Sequence, residues 1–105
     1  LAPVQAMVIP IAERHNDYAT SVDKTLKENG LRSQVDLSRE KVGYKIRDAE
    51  VQKIPLILIV GDKEVAHGQV SLRVHTQGDK GEVNIQEFLE KVKKLDKNKS
   101  LTTSL

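Results

Sequence analysis

Two apolar runs constrain this chain more than anything else in it. Residues 4–11 are nearly all apolar (Val4, Ala6, Met7, Val8, Ile9 and Ile11), and Leu56, Ile57, Leu58, Ile59 and Val60 follow one another without a break. A strand with one face in water alternates, so runs that barely alternate read as strands covered on both faces. Pro10 falls near the end of the first run, where a missing N–H does least harm.

The sequence between the runs supplies the covering helices. Asn16 reads as an N-cap and Asp17 as a first-turn acid, with Ala19, Val22 and Leu26 at helical spacing until Gly30. Residues 33–37 read as a short second strand. Residues 41–53 form a second helix with Val42, Ile46 and Ala49 on one face, separated by Pro55 from the third strand at residues 56–60. Two crossovers of this kind build a parallel sheet. Residues 62–65 and 69–75, flanking Ala66-His67-Gly68, are expected to add an antiparallel hairpin. Residues 76–83 read as a polar loop. Asn84 then caps the clearest helix, with Glu87 three residues on and Ile85, Phe88, Leu89, Val92 and Leu95 as its apolar stripe. The expectation is an α/β fold in three layers, α/β/α, with a five-stranded mixed sheet and three helices. Residues 1–95 form the domain, and residues 96–105 a flexible polar tail.

At 105 residues one compact domain is expected, large enough to bury a core unaided. Cysteine is absent, which removes any disulfide framework or thiolate nucleophile and agrees with a reducing, cytoplasmic setting. No apolar run approaches the roughly 18 residues that span a bilayer, so a soluble chain without membrane partners is expected. The start at Leu1, without methionine or a signal-like leader, reads as a piece of something longer. Net charge is only +2, too little for a general nucleic-acid field, but the cations cluster. Arg39, Lys41, Lys45, Arg47 and Lys53 form one group, and Lys91, Lys93, Lys94, Lys97 and Lys99 another. The first is expected to meet phosphates; the second reads as a solvated helix end.

Loops leaving the carboxyl ends of parallel strands gather on one rim, the usual ligand position in such sheets. That rim should collect residues 12–15, 38–41 and 61–64, offering Glu13, Arg14, His15, Arg39, Glu40, Lys41, Asp62, Lys63 and Glu64. Catalytic readings lack parts. Gly61-Asp62-Lys63-Glu64 has neither the glycine spacing nor the Lys-Ser/Thr pair of a phosphate loop. No serine sits in a glycine elbow, and His15, His67 and His75 are too scattered for a zinc motif. A phospho-acceptor site would be imitated only loosely by Glu13, Asp62 and Lys63. RNA binding fits better, because unpaired bases are stacked on aromatic or guanidinium planes and read along polar edges. Of the aromatic residues Tyr18, Tyr44 and Phe88, Tyr44 stands in the basic segment with the best access.

One ordered set of motifs goes further. Leu1-Ala2-Pro3-Val4-Gln5, then Glu40-Lys41-Val42-Gly43-Tyr44-Lys45-Ile46-Arg47, then Gly61-Asp62-Lys63-Glu64, then Val70-Ser71-Leu72-Arg73 resembles the C-terminal anticodon-binding domain of bacterial-type threonyl-tRNA synthetases over about residues 1–95. The resemblance implies an anticodon-binding-domain-like fold that binds the anticodon loop of threonine tRNAs, whose triplets end in guanine then uracil. It implies a parent ligase using ATP, Mg and a catalytic-domain Zn, homodimeric through that domain, while this chain holds no catalytic residue, cofactor or metal. Carried over by position, Glu64 and Arg73 read the anticodon, with Arg39, Lys41, Tyr44 and Lys45 also in contact. Guanine's O6 and N7 suit an arginine fork, and its N1–H and amino group suit a carboxylate. Arg39 departs from the family, which commonly has asparagine there; a guanidinium can still donate to uracil O4. The alternatives are the related domain of prolyl, histidyl or glycyl enzymes, and a regulatory or interaction module with the same fold.

Overall fold

The computed structural model describes residues 4–75 and 77–97, with side chains as far as residue 93. In chain order it contains β1 (Ala6–Pro10), a 3-10 turn (Glu13–His15), α1 (Asn16–Glu28), β2 (Ser33–Val35), α2 (Val42–Val51), β3 (Leu56–Val60), α3 (Asp62–His67), β4 (Gln69–Val74), β5 (Gly78–Asn84) and α4 (Ile85–Lys97). The two apolar runs lie side by side at the centre of one five-stranded sheet, ordered β2-β1-β3-β4-β5. β1 pairs in parallel with both β2 and β3, placing Ala6 beside Leu56 and Pro10 beside Val60. β4 and β5 add antiparallel, so the sheet is mixed.

Both faces of the central strands are covered, which is why their sequences do not alternate. On one side Ala6, Val8, Leu56 and Leu58 pack with Ala19, Val22 and Leu26 of α1 and with Phe88, Leu89 and Val92 of α4. On the other, Met7, Ile9 and Ile57 pack with Ala49, and Val42 and Ile46 of α2 join them. The layers are therefore α1 and α4, the sheet, and α2. Burying one such aliphatic or aromatic side chain contributes about 1.5 to 3 kcal/mol, so the α4 stripe alone is a substantial part of the core. Phe88, Leu89 and Val92 are buried and Ile85 partly so; the side chain of Leu95 lies outside the described residues. Asn84 caps α4 as expected, its Oδ1 accepting from the N–H groups of Gln86 at 2.8 Å and Glu87 at 3.3 Å.

Four expectations change. Residues 62–67 are a helix, not a hairpin strand, so the described residues form four α-helices in place of three. It ends at Gly68, whose φ of 65° is the left-handed cap that glycine adopts without a Cβ penalty. The hairpin is instead β4–β5, and the supposed polar loop is mostly its second strand. Between Leu72, paired with Gly81, and Arg73, paired with Asp79, Lys80 is left over as a bulge. Asn16 begins α1 rather than capping it, because the 3-10 turn at Glu13–His15 leads straight into the helix. Finally, α4 continues through Lys97, two residues into the segment read as a tail; residues 98–105 lie outside the described residues.

Candidate nucleic-acid interface

β1, β2 and β3 all end at one rim, and the segments leaving them are tied together by side chains. Arg14 forks the Asp62 carboxylate, Nε to Oδ1 at 2.9 Å and a terminal nitrogen to Oδ2 at 2.7 Å. His15 sits beneath this pair, 3 % exposed. Its Nδ1 accepts the Ala12 N–H at 3.1 Å, which leaves Nε2 to carry the proton and donate to Asp62 Oδ1 at 2.6 Å. Hydrogen bonds from Arg14 first and His15 second hold the Asp62 carboxyl well below its ordinary range. Arg39 pairs with Glu13 at 3.2 Å across the same rim. Beside them a cleft of about 100 Å³ is lined by Ile11, Ala12, Glu13, Asn16, Ser38, Arg39, Glu40 and Lys45.

Glu64 and Arg73 belong to adjacent elements: Glu64 lies on α3 beside this rim, and Arg73 lies further along β4, opposite Ile57 of β3. Glu64 is the third residue of α3, and its Oε1 accepts the Gly61 N–H at 2.8 Å, capping the helix by reaching back. Its Oε2 accepts the Ser71 hydroxyl at 2.9 Å. Only 7 % of the residue is exposed. Each carboxylate oxygen has two acceptor positions, and one on each is taken internally. In β4 the buried residues Val70, Leu72 and Val74 point to the α1/α4 side. Period-two alternation turns Ser71 and Arg73 to the opposite face, about 7 Å apart along the strand. Ser71 thus bridges the two expected readers: it binds Glu64 directly and shares a face with Arg73. Gly61 is glycine for space, since a Cβ there would stand 2.6 Å from Ile11 Cδ1 and 3.2 Å from Glu64 Oε1.

The anticodon-binding domain model of protein families matches residues 5–95 of this chain. The chain belongs to that anticodon-binding domain family. It is 48 % identical over 100 residues to a threonine–tRNA ligase of Clostridium botulinum, covering 95 % of this chain and 16 % of that protein. It is 50 % identical over 101 residues to the threonine–tRNA ligase of Caldanaerobacter subterraneus, covering 96 % and 16 %. The chain therefore spans about a sixth of the length of the relatives it matches. Among solved structures it resembles the RNA-binding domain of threonyl-tRNA synthetase from Cryptosporidium parvum, with TM-score 0.78, 26 % identity, 86 % of this chain and 24 % of that one. A histidyl-tRNA synthetase from Nostoc shares the fold at TM-score 0.81, with 23 % identity over 90 % of this chain and 23 % of that one.

Within this anticodon-binding domain the six expected contact residues fall into three kinds of setting. Glu64 and Arg73 are half-buried to buried on neighbouring elements, Glu64 being held on both oxygens. Arg39 (89 % exposed side chain), Lys41 and Tyr44 (59 % exposed) are open to solvent on the approach to α2 and on its first turn. Lys45 is different, and the expectation of a surface cation for phosphates is corrected. It is 4 % exposed, and its ammonium donates to the carbonyls of Pro10 at 3.3 Å and Asp36 at 3.2 Å. It ties the ends of β1 and β2 together from under the cleft. The position gives a warning in hindsight: with Val42, Ile46 and Ala49, Lys45 lies on the buried face of α2.

One further residue, Glu82, escaped the sequence reading, and Tyr18 takes a part there that its aromatic character alone did not indicate. Tyr18 donates its hydroxyl to the Gln69 carbonyl at 2.8 Å, and burial, then the nearby Glu64 and Glu82 carboxylates, push its phenol up. Glu82 of β5 accepts from His67 Nδ1 at 2.7 Å and pairs with Lys63 at 3.4 Å, binding α3 to the far strand; the His67 bond lowers its carboxyl pKa. No group of three or more His, Cys, Asp or Glu among the described residues is placed to hold a metal ion.

Proposed function

We propose that this chain is the anticodon-reading domain of a threonine–tRNA ligase, recognising the guanine-uracil end of the threonine anticodon so that the parent enzyme joins threonine to the correct tRNA with ATP. The observation that carries this is near-complete coverage by threonine–tRNA ligases at 48 to 50 % identity, supported by a carboxylate on α3 and a guanidinium on the adjoining strand β4, linked through Ser71. Glu64 takes the guanine N1–H and amino donors, and Arg73 donates to O6 and N7. Arg39 and Tyr44, both exposed, are assigned to the neighbouring base and ribose, and Lys41 to phosphate. The parent enzyme's dimer, Mg and Zn belong to regions other than this domain.

The test is charging by the full-length protein that carries this chain, on threonine tRNA and on the same tRNA with the anticodon guanine changed to adenine. Adenine offers a donor where guanine has O6, and it lacks the N1–H and 2-amino groups. Arg73→Ala should lower kcat/KM for the guanine form by roughly 1 to 3 kcal/mol, the range of one bidentate base contact. Glu64→Gln is the companion variant, because it keeps a cap on α3 while removing the charge. Equal charging of the two tRNAs by the unaltered protein would refute the reading and favour an interaction module.

A further inference from the structure

The residues that would read guanine sit on two different elements, α3 and β4, which the Ser71–Glu64 bond joins directly and which two side chains at the start of α1 hold from outside. His15 and Tyr18 are three residues apart, on one face of the turn that opens α1. His15 Nε2 donates to Asp62, the first residue of α3, two before Glu64. The Tyr18 hydroxyl donates at 2.8 Å to the carbonyl of Gln69, the first residue of β4, which also carries Arg73.

We propose that His15 and Tyr18 are positioning residues for anticodon discrimination: anchored where the 3-10 turn passes into α1, they help fix α3 and β4 relative to one another and so set the spacing between Glu64 and Arg73. The inference rests on the reading of those two residues given above. His15 is fixed on both nitrogens and packed out of water, so it holds Asp62 from a rigid base. Arg14 supports the same carboxylate from the solvent side. Tyr18 packs at the margin of the main core and reaches β4 with a single bond. Neither side chain has to touch RNA. Each acts through another residue, and a loosened bracket would let the two readers drift while the core stays intact.

The experiment compares His15→Phe, His15→Gln and Tyr18→Phe in the full-length protein that carries this chain, with Arg73→Ala as reference. The readout is the ratio of kcat/KM for tRNA bearing the anticodon guanine to that for its adenine form. His15→Phe and Tyr18→Phe should each lower the ratio about tenfold, as expected for a contact shifted and not deleted. His15→Gln, which keeps a donor at the reach of Nε2, should hold it near the starting value. Parallel loss on both tRNAs, with the ratio unchanged in His15→Phe and Tyr18→Phe, would overturn the inference and leave these residues with packing alone. Tyr18→Phe carries the test if His15→Phe does not fold. If Arg73→Ala also leaves the ratio unchanged, the reading of the site itself fails, and the positioning role with it; a fall in Arg73→Ala alone sinks only the positioning role.

Discussion

The Lys45 ammonium lies 3.3 Å from the carbonyl oxygen of Pro10, at the point where β1 leaves the sheet. A second bond, to the Asp36 carbonyl at 3.2 Å, makes this lysine a clasp between the ends of β1 and β2 beyond their last mutual pair, Val8 with Val35. The charge is buried against backbone dipoles, so its value is structural.

Replacing it should therefore be felt in stability first. Lys45→Met, similar in length and apolar, leaves two carbonyls short of a donor and should cost about 1 to 3 kcal/mol, read as a lower urea midpoint. Lys41→Ala should behave in the opposite manner. Exposed at the start of α2, it should leave the midpoint alone and reduce the salt dependence of tRNA binding by about one phosphate contact. A Lys45→Met variant as stable as the original would refute the clasp.

Gly61→Ala separates helix capping from base reading. The extended backbone at Gly61 suits any residue, so the added methyl group acts only through space. The exposed tip of Ile11 can move aside, whereas the Glu64 carboxylate is held by Gly61 and Ser71 and must shift with them. Stability should fall by only about 1 kcal/mol, the scale of a weakened cap. Discrimination of guanine from adenine should fall further than that. Thermal melts and charging assays on one variant would compare the two.

Acid should weaken the attachment of α3. The Asp62 carboxyl is lowered in the folded chain by Arg14 and then His15, and the Glu82 carboxyl by His67. A carboxyl with a depressed folded pKa adds stability that is fully present above its unfolded value and is lost as pH falls from there towards the folded one. The urea midpoint should accordingly decline below about pH 4, the unfolded carboxylate range. Asp62→Asn with Glu82→Gln should flatten that decline. High salt should shrink the effect, since both groups are near the surface.

Tyr44 offers a direct test of stacking. Its ring is largely in solvent on the first turn of α2, so Tyr44→Ala should not change the melting temperature. If a base stacks on it, tRNA affinity should drop by about 1 to 3 kcal/mol while Tyr44→Phe holds it. Equal affinity in all three proteins would leave the ring as ordinary surface.

The legible parts of this fold are those where one pattern dominated. β3 was readable to the residue because five apolar side chains stand between Pro55 and Gly61. The α4 stripe and the Asn84 cap were equally open to inspection. α3 was not, because six residues are too few to show a helical period and Gly61-Asp62-Lys63-Glu64 has turn-like composition. The glutamate three residues beyond Gly61, able to reach back to its N–H, was the available signal. β5 was missed because an edge strand of Gly, Asp, Lys and Glu carries no apolar face to count. Glu64 and Arg73 are proposed readers on the strength of the ordered motifs alone, and nothing in their spacing reveals that Ser71 binds Glu64. His15 and Tyr18 could not be recognised as a pair until α3 and β4 had been placed.

β5 also bears on how such a domain survives in company. An open sheet has two borders, and an unpaired border invites a strand from another molecule. Here one border is β2, three residues long. The other is bulged at Lys80, studded with glycine and lined by charge. Neither offers a straight, greasy template, so copies crowded together would gain little by zipping edge to edge.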